Sequence, residues 1–124
     1  LKGAKGAISI AYAPEEKLLF VVSQGTDNLQ ILDATDGKLK ADVKVGAGPL
    51  AVVWEPVRKL AYVANRGSDS VAVVDVNGNL AANLPGGSYV NHVFTDGKGT
   101  VWSVNKARGL NDPQGDHISR YAAK

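Results

Sequence analysis

The sequence predicts an all-β fold made of three similar units, and three observations predict it. One stretch recurs along the chain, short β-branched runs fill each copy, and Gly, Asp, Asn and Pro punctuate them. Residues 12–37, YAPEEKLLFVVSQGTDNLQILDATDG, lie over residues 54–78, WEPVRKLAYVANRGSDSVAVVDVNG, at an offset of 42. That offset places Pro14 on Pro56, Phe20 on Tyr62, Gly25 on Gly67, Asp27 on Asp69 and Asp33 on Asp75. A third copy, FTDGKGTVWSVNK at 94–106, sets Trp102 over Tyr62 and Asn105 over Asn65 at an offset of 40. HISRYA at 117–122 then resumes where SVAVVD leaves off. Periods of about 40 residues with several strands per unit mark propeller blades.

The first copy supplies four strand candidates, ISIAY, KLLFVVS, NLQILDA and KADVKV, separated by turn residues. Clustered β-branched residues, with Gly or Pro in every window of about ten, oppose helix. LAVVW at 50–54 and VAVV at 71–74 are apolar at successive positions, the pattern of strands covered on both faces. Four-stranded sheets stacked face to face supply that cover, and one unit alone cannot. The expected architecture is a β-propeller fragment of about three four-stranded antiparallel blades, the last lacking its outer strand. Residues 1–6 read as the tail of a preceding blade, 7–48 and 49–88 as two blades, and 89–124 as an incomplete terminal blade. LAANLPGG at 80–87, where the second blade's outer strand belongs, is poor in β-formers. Three blades leave two apolar flanks and a strand edge bare. The remainder of the ring is therefore expected as another chain, or as further copies of this one.

The bulk numbers fit one globular unit: 124 residues, 44% hydrophobic and 21% charged, a balance that opposes disorder. A net charge of +2 does not by itself imply a polyanion partner. The absence of cysteine excludes disulfides, thiolate metal sites and a cysteine nucleophile. No run approaches the roughly 18 apolar residues of a membrane span, and LKGAKGAISI lacks a signal-peptide core, so no membrane insertion is expected. With no methionine and Leu1 first, the chain is expected to be a processed or excised piece of something longer.

In an antiparallel meander, alternate turns fall on opposite faces of the disc. One face collects GTDN (25–28), RGSD (66–69), ARGLNDPQGD (107–116) and the connections VGAGP (45–49) and LPGGS (84–88). The other has PEEK, PVRK and DGKG, which read as solubilising hairpins. Binding residues favour loops displayed on a rigid frame, so the first face is the candidate surface.

Four candidate ligand-binding residues follow: Arg66, His92, Lys106 and Arg108. His92, on the innermost strand of the third unit, either lines a central channel or is hydrogen-bonded within its strand. No H-x-H, H-E-x-x-H or carboxylate cluster accompanies it, and neither metal nor cofactor is expected. Arg66, Lys106 and Arg108 lie on the loop face, with Trp54, Tyr62, Tyr89 and Trp102 in the same units. They serve either cation-plus-aromatic recognition of single-stranded nucleic acid or another anion, or as solvated charge beside aromatics that fill the space between blades. Asp116 and His117 are neighbours whose side chains point to opposite faces of a strand, which leaves Asp116 a turn or capping role. Gly46/Gly48 and Gly86/Gly87 precede strands and not helices, so they read as turns and not phosphate loops. Gly-x-Ser-x-Gly is absent.

YVAN at 62–65, with FVVS and WSVN at equivalent places, is joined by Gly-Ala-Gly-Pro at 46–49, Pro14, Pro56, a Gly-Ser-Asp turn and Val-Ala-Val-Val-Asp at 71–75. Over nearly the whole chain this pattern resembles the YVTN family of β-propeller repeats. It departs at DGKG (96–99), where the turn proline is missing. The longer last turn and the terminal D-H-I-S-R-Y look like the YncE-like branch. The resemblance implies the C-terminal three blades of an exported seven-bladed ring, from a periplasmic or secreted parent whose signal peptide lay upstream. The expected function is a non-catalytic binding or scaffold module presenting loops to a ligand or protein partner. Related propellers also include lactonase-like and quinone-dependent dehydrogenase-like enzymes, in which His92, Arg66 and Lys106 would form part of a site near the channel.

Overall fold

The computed structural model describes residues 2–106, 111–113 and 117–121. It is all-β, with eleven strands in three antiparallel sheets among the described residues. Sheet 1 is the meander β1 (Ala7–Ala13), β2 (Leu18–Ser23), β3 (Asn28–Asp33) and β4 (Leu39–Lys44). Sheet 2 repeats it with β5 (Pro49–Glu55), β6 (Leu60–Asn65), β7 (Ser70–Asp75) and β8 (Leu80–Pro85). Sheet 3 has three described strands, β9 (Val90–Thr95), β10 (Val101–Asn105) and β11 (Ile118–Tyr121). The single helical element among the described residues is a 3-10 turn at Arg66–Ser68, and no helix is long and apolar enough to cross a membrane.

The sheets stack face to face in chain order, with their first strands β1, β5 and β9 side by side. Strand side chains alternate between faces, so each sheet has a forward flank towards its successor and a backward flank towards its predecessor. The forward flank of sheet 1 (Leu18, Phe20, Val22, Leu29, Ile31, Val43) mates with the backward flank of sheet 2 (Val52, Trp54, Ala61, Val63, Ala72, Val74) in one core. Phe20 lies stacked on Trp54, ring centroids 5.1 Å apart and planes 18° from parallel. Such a pair contributes about 0.5–1.5 kcal/mol beyond its area burial. The forward flank of sheet 2 (Tyr62, Ala64, Val71, Val73) meets Val90, Val93 and Val101 of sheet 3 in a second core. Sheet 2 is thus covered on both sides, which is why VAVV is apolar without alternation.

β8 forms despite its weak composition, because β7 dictates it. A buried strand with one edge free must pair its backbone groups, and residues Ser70 to Val74 pair with Pro85 to Leu80. In sheet 3 the structure departs from the simple repeat. The offset of 40 would lay Phe94 over Trp54, facing sheet 2. The turn between β9 and β10 holds five residues, 96–100, against four, 56–59, between β5 and β6. The extra residue shifts the register: Trp54 pairs with Ala61, whereas Phe94 pairs with Trp102. A one-residue slip sends a side chain to the other face. Phe94 therefore stands on the forward flank, 61% exposed.

The hairpins PEEK, PVRK and DGKG do more than solubilise. Glu55 is fully buried, and its two carboxylate oxygens accept the Val57 and Arg58 amides at 2.8 and 2.7 Å, which fixes the turn. Arg58 Nη2 donates to the Gly99 carbonyl at 2.8 Å, and Lys59 Nζ lies 3.4 Å from Glu16 Oε2. These two contacts tie sheet 2 to both neighbours. The ion pair, with an exposed lysine, adds at most about 1 kcal/mol.

Three turn carboxylates share one device. Asp33 accepts the Thr35 amide, Asp75 those of Asn77 and Asn79, and Asp96 those of Lys98 and Thr100. Hydrogen bonding to the charged form holds each pKa below the usual 3.8, led by the amides of Thr35, Asn79 and Lys98 respectively. A depressed folded pKa gives stability that is present above the unfolded value and lost as pH falls through the folded one. The urea midpoint is therefore expected to stay level above pH 3.8 as far as these groups are concerned, and to fall progressively below it. Asp75→Asn should make that acid slope shallower, and an unchanged slope would contradict this origin.

Candidate functional site

The face that carries the β2–β3, β6–β7 and β10–β11 turns is built by one repeated backbone arrangement. The connection entering each sheet crosses that sheet's own turn. Gln24 and Gly25 amides donate to the carbonyls of Gly6 and Lys5, at 2.9 Å each. Arg66 and Gly67 amides donate to Gly48 and Ala47 at 3.1 and 2.8 Å, and the Lys106 amide donates to Tyr89 at 3.1 Å. The crossing is close: a Cβ on Gly67 would sit 3.0 Å from the Ala47 carbonyl oxygen.

A carboxylate then links each turn to the next sheet. Asp27 and Asp69, both in the left-handed region at φ 53° and 54°, each aim a carboxylate at the connection that follows their own sheet. Asp27 Oδ1 accepts the Gly48 amide at 2.9 Å, and Asp69 Oδ1 accepts the Tyr89 amide at 3.0 Å. Their backbone carbonyls accept the Val45 and Gly86 amides, both at 3.0 Å. These clamps join sheet 1 to sheet 2 and sheet 2 to sheet 3.

Tyr89 is the exception within this repeat. It occupies the place of Gly6 and Gly48, with φ 51° against their 70° and 60°. Left-handed backbone costs an L-residue with a Cβ about 1–2 kcal/mol, and such strain persists where the surroundings over-determine it. Here they do, since the Tyr89 amide and carbonyl are both held. Its ring receives Arg66, whose guanidinium carbon lies 4.7 Å from the ring centroid. Arg66 and Lys106 are both exposed. Beside them Ser88, buried, donates to Asp112 Oδ1 at 3.0 Å. An open groove of about 490 Å³ continues along Pro85, Gly87, Pro113, His117, Ile118 and Ser119.

Of the residues singled out in the sequence, Arg66 lies over the Tyr89 ring, and Lys106 meets Tyr89 through its backbone amide. His92 does not join them. It is exposed on the forward flank of sheet 3, paired with Val104 and in line with Phe94, because β9 alternates with Val93 turned into the core. Arg108 and Asp116 lie outside the described residues. His117 donates its amide to Asn105 Oδ1 at 3.1 Å and sets its Nε2 3.2 Å from the Pro113 carbonyl, a role within the loop. Trp54 and Tyr62 belong to the cores between sheets, as their burial requires. Among the described residues no three His, Cys, Asp or Glu side chains are grouped to hold a metal ion. Sequence reading set Tyr89 among four aromatics accompanying Arg66 without pairing the two, and it missed the clamping role of Asp27 and Asp69. The repeated aspartates, and a tyrosine where two earlier copies carry glycine, are the signals that point to them.

No family model matches the chain, and no curated protein matches it. Among solved structures, the hydrazine synthase of Kuenenia stuttgartiensis has a similar fold, with a TM-score of 0.82 at 23% identity over 96% of this chain. The chain spans 33% of the length of that structure. At this identity the likeness concerns the fold alone.

A hydrogen bond to a charged acceptor contributes about 1.5–3 kcal/mol, so Asp69→Ala should lower the unfolding free energy by that amount, measured by urea denaturation. Asp112→Ala, outside the clamp between sheets, should cost less. Equal losses would remove the special standing of Asp69.

Proposed function

We propose that the chain is part of a β-propeller of YVTN repeat type and serves as a non-catalytic binding module, its loop face turned to an anionic ligand or partner. The stacked antiparallel sheets, their recurring clamps and the fold likeness support the propeller reading. A periplasmic or secreted parent, of the YncE-like branch, goes with it. The observation that carries the binding role is Arg66 over Tyr89. A side chain is kept in a strained backbone position where the other copies use glycine, and an exposed guanidinium lies 4.7 Å from the centroid of its ring. Among the described residues Arg66 has no ion pair, so its N–H edge is open to an oxyanion. Lys106 supplies a second positive charge on the same face.

A second reading, single-stranded nucleic acid, is favoured by the same cation-and-ring surface, since bases stack on such platforms. The two readings separate in one set of titrations. Inorganic phosphate, an acidic peptide and oligothymidylate are each titrated at low and physiological salt against the unmodified protein, Arg66→Ala and Lys106→Ala. Either reading predicts binding that weakens with salt and falls about tenfold in Arg66→Ala, a loss of roughly 1–2 kcal/mol. Preference for oligothymidylate over the peptide selects nucleic acid. Affinity indifferent to salt and to both substitutions would overturn the anion-binding role.

A further inference from the structure

The turn from β7 to β8 carries Asn77 and Gly78, and Asn77 is the one asparagine in the chain that a glycine follows. Asn28, Asn65 and Asn105 are buried, whereas Asn77 is exposed. Its backbone amide donates to Asp75 Oδ1 at 2.9 Å, but its side-chain amide makes no hydrogen bond among the described residues. Asn79, two residues on, has its side-chain amide tied to Asp75 Oδ2 at 3.1 Å.

Packing makes the glycine obligatory. Gly78 lies in the left-handed region at φ 86°, and a Cβ on it would fall 2.8 Å from Ala41 Cβ and 3.3 Å from Val43 Cγ2. Its backbone is thus seated directly on β4, where sheet 2 meets sheet 1. Asn77 is therefore followed by a nitrogen that no side chain shields. The Gly78 N–H donates to the Asp75 carbonyl at 3.1 Å, a bond at a turn tip that opens without unfolding of the sheets.

We infer that Asn77 is a site of spontaneous deamidation in the folded protein, and that one of its two products loosens the joint between sheets 1 and 2. The deprotonated Gly78 nitrogen attacks Asn77 Cγ. A new N–Cγ bond forms, the bond from Cγ to Nδ2 breaks, and ammonia leaves with the proton that the backbone amide gave up. Solvent water then opens the resulting succinimide ring at either carbonyl. Opening at Cγ restores the backbone with aspartate at position 77. Opening at the backbone carbonyl leaves isoaspartate, through which the chain runs along the side chain and gains a methylene.

The two products differ in fit. In the β3–β4 turn an aspartate, Asp36, already precedes a left-handed glycine, Gly37, whose amide donates to the Asp33 carbonyl as that of Gly78 donates to Asp75. Ordinary aspartate therefore suits such a turn. Isoaspartate lengthens the backbone between Asp75, which holds the Asn77 and Asn79 amides, and Gly78, and so displaces Gly78 from Ala41 and Val43.

The test is to age the full chain at mildly acidic and mildly alkaline pH, then to map its peptides and denature it in urea. Ammonia loss should appear first at Asn77, as a mixture of aspartate and isoaspartate. Its rate should rise about tenfold per pH unit, as the deprotonated fraction of the amide does. The fraction carrying isoaspartate should unfold at lower urea. Asn77→Asp should keep the midpoint of the unmodified chain, and Asn77→Ser, aged in parallel, should keep its own starting midpoint. Deamidation no faster at Asn77 than at Asn79 or Asn91, or a rate indifferent to pH, would overturn the site. Isoaspartate at position 77 with an unchanged midpoint would overturn the effect on the joint. This turn lies at the opposite end of β7 from Arg66, so none of these outcomes bears on the anion titrations.

Discussion

A sheet that is apolar on both faces cannot face water on either, and this constraint governs the molecule. β6 and β7 are buried along their length and form the centre of sheet 2, so a sheet must lie on each side of it. Neighbouring residues of one strand serve different cores: Val71 and Val73 belong with sheet 3, Ala72 and Val74 with sheet 1. The outer flanks of sheets 1 and 3 also carry large apolar side chains, Ile10 and Tyr12 on one and Phe94 and Ile118 on the other.

Polar groups then determine how the stack is indexed. Hydrophobic burial is non-directional and would tolerate sliding of one sheet on the next. The clamps from Asp27 to Gly48 and from Asp69 to Tyr89 are directional and fix the position of each entering strand at the loop face. On the far face, Arg58 to Gly99 and Lys59 to Glu16 restrain the same joints. A rigid loop face follows, and with it a guanidinium held at a defined height over a ring. Where the clamp meets a tyrosine in place of glycine, the fixed frame carries the strain.

The sequence made much of this legible through position. Strands could be placed because turn residues bracket short β-branched runs, and burial of both faces could be read from LAVVW and VAVV. The offset of 42 carried the first three strands of sheet 1 onto those of sheet 2 without a gap, and the turn before β8 is one residue shorter than the turn before β4. It could not carry the third copy so well, because one added residue in the 96–100 turn slips β9 by a position and turns Phe94 outward. Nor could it show that Arg66 reaches Tyr89. That contact joins a turn to a connection 23 residues away, and it depends on a left-handed residue whose one sequence signal is a tyrosine where the earlier copies carry glycine. Which side His92 takes was not legible for a related reason. Placement on an innermost strand does not decide which of two faces a side chain takes, and register does.

The cover on sheet 2 is most directly tested by native-state hydrogen exchange, read amide by amide. If both faces are sealed, the slowest amides in the protein are those of Leu60–Asn65 and Ser70–Asp75, opening only with global unfolding. Exchange in those strands as fast as in Leu80–Pro85 or Ile118–Tyr121 would mean that the middle sheet is not enclosed, and the stacked arrangement would be wrong.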